Sequence, residues 1–248
     1  MSEDKQSLVT YDYSEQHTRL YDLLGNEKGV FKGGFIQLSD DKQQLVTYSS
    51  PDNQTHLYRL LNNEGVVLEG KFIQFSDDEQ QLVTYSDIDQ HTRLYDLLGN
   101  EKASFEGEFN GFSDDGQRFS IYYSLKDIYT QFYDLSGNSV GPPLQGKFSQ
   151  FSPNQEYMLT TVFSEDSSLV YNAAGRLLAE YPGSVFGPGD LGFTPDSTRI
   201  VTQSSDGYHH VWQLDNGLDD LLVRGCDWVR SHLRLNPEET RAAFCLQE

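Results

Sequence analysis

In this 248-residue chain, the side chains whose types could do chemistry are six histidines, two cysteines and a set of paired aspartates. Neutral imidazoles bind metals and shuttle protons. Thiolates attack electrophiles. Adjacent carboxylates serve acid–base chemistry or hold calcium. Spacing decides among these. His17, His56 and His91 lie at about the same place in successive copies of a repeat, so duplication accounts for them without convergence on one metal. His209 and His210 read as strand surface. Cys226 and His232 stand six apart, which is not a zinc spacing, and there is no further cysteine pair. Asp40-Asp41, Asp77-Asp78 and Asp114-Asp115 recur where a turn is needed, and no Asp-x-Asp-x-Asp-Gly loop supports calcium. Gly187-Pro188-Gly189 is a bend with no Lys-Ser/Thr after it, hence no phosphate cradle. The residues therefore point to no catalytic site, no metal and no cofactor.

The formal charge is −20, with 38 acids against 18 bases. Nucleic acid and anionic membrane need clustered Lys and Arg, so both are excluded as partners, whereas a basic protein surface is permitted. Two isolated cysteines fit a reducing compartment. The start, MSEDKQSLVT, has no apolar signal region, and no run of about 20 apolar residues occurs. The expectation is a cytoplasmic protein.

The elements that must position any site come from a repeat. QHTRLYDLLGNEK stands at residues 16–28 and again, unchanged, at 90–102. Leu8, Leu45, Leu82 and Phe119 are spaced by 37. Copies start near residues 6, 44, 81, 118, 157 and 199, the later ones drifting. A period of this size marks a solenoid, a propeller or an array. Each copy holds four short β-branched or aromatic runs, in the third copy 72–75, 82–85, 92–95 and 103–105. Asp, Asn, Ser and Gly between them reverse the chain. Four strands of about five residues and four links of about four make about 36, so the unit is a four-stranded antiparallel sheet. Runs such as LVTY do not alternate, as expected of a strand covered on both faces. The predicted fold is all-β, a β-propeller of about six four-stranded blades over residues 1–216.

Phe151-Ser152-Pro153-Asn154, Leu82-Val83-Thr84, Leu20-Tyr21-Asp22-Leu23, Leu94-Tyr95-Asp96-Leu97 and Val211-Trp212-Gln213-Leu214 carry a resemblance to WD-repeat propellers, whose blades read FSPDG, LVTAS and LWDL in that order. It covers roughly residues 6–214. TolB-like propellers share the FSPDG flavour and compete for the assignment. The Gly-His pair of the family is missing. Gly33-Gly34, Gly70-Lys71, Gly107-Glu108 and Gly146-Lys147 stand in its place. The family's Asp–His–Ser/Thr–Trp hydrogen-bond chain then has no histidine, and aromatic packing is expected to replace it.

Residues 217–248 form a tail. Asn216 as cap, Asp219 and Asp220 at one end, Arg230 and Arg234 at the other, and a stripe through Leu218, Leu221, Leu222, Trp228, Val229 and Leu233 predict a short C-terminal α-helix ended by Pro237. This segment resembles the tail that follows WD-repeat propellers in large bacterial multidomain signalling proteins. The first copy has no first strand and the last no plain fourth strand, giving about 22 strands. Closure by 243–246, an open ring, or pairing with a second copy each satisfy that count, and an open ring would permit self-association.

With no catalytic constellation, the rim loops remain. In the resembled family the links between second and third strands share one rim, a common layout for a binding face. Here that rim holds Asp12, Tyr13, Glu15, Asp52, Asn53, Asp87, Asp89, Lys126, Asp127, Glu165, Asp166 and Asp206. The expected function is a non-enzymatic scaffold or sensor that binds a protein or peptide, of basic character. One alternative is a lectin-like propeller using repeated Tyr and Gln. Another is a six-bladed hydrolase or lyase, for which the innermost strands offer mainly Gln37, Gln74 and Gln150.

Overall fold

The computed structural model describes residues 7–124, 128–185 and 191–214. The tail helix expected over 217–248, both cysteines, His232, Lys126 and Asp127 lie outside the described residues. Every regular element among the described residues is a β-strand, and there are 22 of them.

They form six antiparallel sheets in chain order. The first is β1 (Ser7–Asp12), β2 (His17–Asp22) and β3 (Glu27–Lys32). The second is β4 (Gly34–Leu38), β5 (Gln44–Ser49), β6 (Gln54–Arg59) and β7 (Glu64–Glu69). The third is β8 (Lys71–Phe75), β9 (Gln81–Ser86), β10 (His91–Asp96) and β11 (Glu101–Glu106). The fourth is β12 (Glu108–Phe112), β13 (Arg118–Tyr123), β14 (Tyr129–Asp134) and β15 (Ser139–Gln145). The fifth is β16 (Lys147–Phe151), β17 (Tyr157–Val162), β18 (Ser167–Asn172) and β19 (Leu177–Pro182). The sixth is β20 (Gly192–Phe193), β21 (Arg199–Gln203) and β22 (His209–Gln213). Below, the strands of a full sheet are a, b, c and d in chain order. Among the described residues the first sheet begins at its b strand and the sixth ends at its c strand, as the repeat lengths imply. The four runs read from the third copy are β8 to β11, each extended by a residue or more.

The chain divides into two compact units, residues 1–148 and 149–248. In the first unit, successive sheets share cores. Leu45 packs with Leu20 and Phe31 of the first sheet, while Val46 packs with Phe72, Phe75, Leu82 and Tyr95 of the third. Adjacent residues of a strand point to opposite faces, so the Leu-Val pair joins its sheet to both neighbours. Hence the Leu-Val pair of LVTY does not alternate: Leu45, Val46, Leu82 and Val83 are all fully buried, as are Phe119 and Ile121 of the fourth sheet's b strand. Leu8, in the first sheet, is 42% exposed, since no sheet precedes it among the described residues of the unit. The d strands alternate instead, burying one large residue each, Phe31, Leu68, Phe105 and Leu144. In the second unit, Leu159 and Val170 of the fifth sheet pack with Ile200 and Leu214.

Hydroxyl groups bond the junctions between successive sheets, where the resembled pattern would place a Gly-His pair. A glycine joins each d strand to the next a strand, and Gly33, Gly70 and Gly183 have φ of +94°, +87° and +88°. The carbonyl of each accepts a bond from the c-strand hydroxyl of its own sheet: Thr18 to Gly33 at 2.7 Å, Thr55 to Gly70 at 2.8 Å, Thr92 to Gly107 at 2.7 Å, Thr130 to Gly146 at 2.9 Å and Ser168 to Gly183 at 2.8 Å. The carbonyl one residue earlier takes a hydroxyl from the following sheet's b strand: Thr84 to Glu69 at 2.6 Å and Thr202 to Pro182 at 2.7 Å, with Thr47 to Lys32 alike. The Lys32 N–H of the first sheet donates to Tyr58 Oη of the second at 3.2 Å. The sixth sheet keeps a tryptophan, and Trp212 Nε1–H donates to Thr202 at 2.9 Å. Each such bond to a buried carbonyl contributes about 1 kcal/mol net, and leaving the carbonyl bare costs ~1–3 kcal/mol.

Candidate functional site

The strand order sends the turns to two ends of each sheet. The b–c turns share an end with the d–a glycines. Gly33, Gly70, Gly107 and Gly183 donate their N–H groups to Gln16, Asn53, Gln90 and Asp166, the last residues of those turns, at 2.7–2.9 Å. Those four acceptors all have positive φ, between 46° and 57°, a conformation that Asn53 and Asp166 tolerate and that Gln16 and Gln90 adopt where the glycine bond holds the turn. The a–b and c–d turns share the opposite end, tied for example by Leu60 N–H to Gln43 O at 2.9 Å.

All the described members of the candidate set lie at the b–c end. Asp12, Tyr13 and Glu15 flank or form the first turn, Asp52 and Asn53 the second, Asp87 and Asp89 the third. In the second unit, Glu165 and Asp166 belong to the fifth sheet's turn and Asp206 to the sixth. Successive turns touch within each unit. Asn53 Nδ2 donates to Ser86 Oγ at 3.0 Å, and Tyr48 Oη donates to Asn53 Oδ1 at 3.0 Å. The Ser205 N–H donates to Asp166 Oδ2 at 3.0 Å.

Most carboxylates of the first three turns already have cations or donors. Asp12 accepts from the Ser14 hydroxyl and the Ser14 and Glu15 N–H groups, which hold its carboxyl below the usual range. Glu15 pairs with Arg19 at 2.8 Å. Asp52 pairs with Lys32 at 2.8 Å, and that ammonium, with the Ser49 hydroxyl, lowers its pKa. Asp89 is bonded to the Arg93 guanidinium, which also reaches Glu69 at 3.2 Å and Glu101 at 3.7 Å; Arg93 holds Asp89 well below the ordinary carboxylate range. Asp87 is the exception. It is exposed and has no hydrogen-bond or ion-pair partner among the described residues. Three cations, Arg19, Lys32 and Arg93, thus offset part of the acidity read from sequence.

The paired aspartates are turn formers. Asp41, Asp78 and Asp115 each accept from the hydroxyl of Ser39, Ser76 or Ser113 and from a backbone N–H two residues on. Those serines lower the three carboxyl pKa values. At the c–d turns, Asp22 accepts from the Asn26 side chain and N–H and is lowered to about 2. The histidines do not share one place. His17 and His91 open β2 and β10, and their Nδ1–H groups donate to the carbonyls of Glu15 at 2.6 Å and Asp89 at 2.7 Å. His56 is the third residue of β6, 5% exposed, stacked on Tyr58 with its Nε2 unpartnered. Burial, then the Lys32 charge, pushes its pKa down. Among the described residues, no group of three or more His, Cys, Asp or Glu side chains is arranged to hold a metal ion. No helix of the described residues is long and apolar enough to cross a membrane.

Two rows escaped the sequence reading, although the 37-residue period spells both. Tyr11, Tyr48, Tyr85 and Tyr122 stand half-buried near the b–c end. In register, Gly34 lies opposite Tyr48, Lys71 opposite Tyr85 and Glu108 opposite Tyr122. The far end carries Leu24, Leu61 and Leu98, which are 88%, 96% and 60% exposed on successive c–d turns.

No family model matches the chain, and no curated protein matches it. Solved structures similar to it include a mitotic checkpoint complex, with TM-score 0.46 and 14% identity over 87% of this chain and 77% of that one. Hsv2 of Kluyveromyces lactis gives 0.46 and 9% over 89% and 75%. The hydrazine synthase of Kuenenia stuttgartiensis gives 0.41 and 12% over 81% and 71%. With each TM-score below 0.5, the architecture rests on strand order, register and the shared cores alone.

Proposed function

We propose that this chain is a non-enzymatic interaction module, a WD-like propeller of about six sheets that binds a protein or peptide across its b–c rim. The observation that carries the reading is the construction of that rim. Repeated bonds from junction glycines and from c-strand Thr or Ser hydroxyls hold the b–c turns of the first, second, third and fifth sheets, while the residues within the turns differ from copy to copy. A rigid frame with variable turns suits recognition. The three innermost-strand glutamines read as candidate catalytic groups in the hydrolase alternative are weak bases. The resemblance of the tail to that of bacterial signalling proteins supports a sensor or scaffold role in such a system, and the cysteine usage supports a cytoplasmic one.

Capture of a partner by the intact chain, repeated with Asp52→Ala/Asp87→Ala on one rim and Leu61→Ser on the other, tests the reading. Loss only with the first variant is expected. Retention with the first and loss with Leu61→Ser would move the binding face to the opposite end. Glycan binding in place of protein capture would favour the lectin alternative.

A further inference from the structure

The tyrosine row and the one unmatched carboxylate of the first three turns meet at Asp87. Tyr48 reaches the third turn through Asn53, whose side chain bonds Ser86, the residue next to Asp87. Tyr85 lies two residues before it on β9. Tyr48 and Tyr85 are half-buried and Asp87 is exposed. Burial raises both phenol pKa values; the Asp87 charge adds to it at Tyr48, and at Tyr85 the Glu108 charge adds most, followed by Asp87 and Asp89.

One repeat further on, the chain shows what such a place accepts. Lys147 Nζ sits 5.0 Å from the centroid of Tyr122 and 3.8 Å from a Glu108 oxygen. Ring, ammonium and carboxylate form one group there, and the ammonium comes from the chain itself. A cation over an aromatic face is attracted by the ring's quadrupole, and a nearby carboxylate adds to that attraction. Around Tyr85 the two charges are exchanged, Lys71 standing in the place of Glu108 and Glu108 in that of Lys147, and Asp87 follows the ring two residues on as a further carboxylate. Lys71, opposite Tyr85 in register, is exposed and makes no ion pair among the described residues.

We propose that Tyr48, Tyr85 and Asp87 receive a lysine or arginine side chain of the bound polypeptide, so that the partner is basic at this point. The assignment rests on the b–c rim being the binding face and adds to it the chemistry of one pocket. The other carboxylates of the first three turns are already matched by Arg19, Lys32 and Arg93 or tied into their own turn, which leaves Asp87 as the place where an incoming cation gains most.

Fluorescence anisotropy of a labelled acetyl-Gly-Lys-Gly-Lys-Gly-Lys-amide with the intact chain tests this, with the glutamate counterpart as control. Asp87→Asn and Tyr85→Leu should each weaken binding by about threefold or more. Tyr85→Phe keeps the ring and should stay within about twofold. Asp52→Asn, whose carboxylate is already matched by Lys32, should do less than Asp87→Asn. Lys71→Ala should leave binding unchanged or tighten it. Absence of lysine-peptide binding, equal losses for Asp52→Asn and Asp87→Asn, equal binding of the glutamate peptide, or loss with Lys71→Ala would each overturn the proposal. The rim reading itself is decided separately, by the partner capture above.

Discussion

Replacing Gly70 by alanine tests the frame that holds the rim. Gly70 has φ +87°, a region that costs an L-residue ~1–2 kcal/mol. A β-carbon there would stand 2.8 Å from the Tyr85 carbonyl oxygen, 2.9 Å from its carbon and 3.2 Å from Ser86 N. These are backbone atoms of the next sheet's b strand and cannot rotate away, so the sheets must shift, at a further ~1–3 kcal/mol. The shift also strains the bonds from Thr55 to Gly70 and from Thr84 to Glu69. Gly70→Ala should therefore lose about 2–5 kcal/mol. Gly25→Ala is the control. Gly25 has nearly the same φ, +85°, but a β-carbon there would meet nothing within 4 Å, so only ~1–2 kcal/mol should go. Urea titration of both variants measures the difference. Equal losses would refute the claim that the junction glycine exists for close approach between sheets.

Thr55→Val keeps the shape but removes the donor to Gly70, and should cost ~1–3 kcal/mol in urea titration while Thr55→Ser costs less. The folded-state pKa of His56 lies below its unfolded value of 6.5, so the unfolded chain takes up a proton that the folded chain refuses; stability should be full above pH 6.5 and fall as pH drops below it. His56→Gln, the residue type found at the equivalent Gln131, should flatten that slope, measured as urea midpoints at several pH values. The triple variant Leu24→Ser/Leu61→Ser/Leu98→Ser should change stability by less than about 0.5 kcal/mol per site, because each leucine is largely exposed; a large loss in thermal melting would show that these turns are packed. Partner binding should weaken as salt rises, and salt-independent affinity would remove its electrostatic part.

The sheets were legible because the period and the turn residues repeat together. The stretch from Gln16 to Lys102 spells strands, turns and order almost without reference to tertiary structure, and the continuous LVTY run announces a strand covered on both faces. The Thr–Gly bonds were not legible. Thr55 and Gly70 are 15 residues apart, and nothing in their spacing says that a hydroxyl and a carbonyl meet. The rim's location followed from the strand order, but its charge did not follow from composition, since the matching of Asp52 by Lys32 joins residues of different sheets. The tyrosine row could have been read from the period at 11, 48, 85 and 122; its nearness to Asp87 depends on the Asn53–Ser86 contact between turns.

The most direct test of the account places a photoreactive phenylalanine analogue at Asp52, at Asp87 or, on the opposite end, at Leu61, and maps the crosslinks formed with the captured partner. Crosslinks from positions 52 and 87 and none from 61 are the result this account predicts. Crosslinks from 61 with none from 52 or 87 would contradict it.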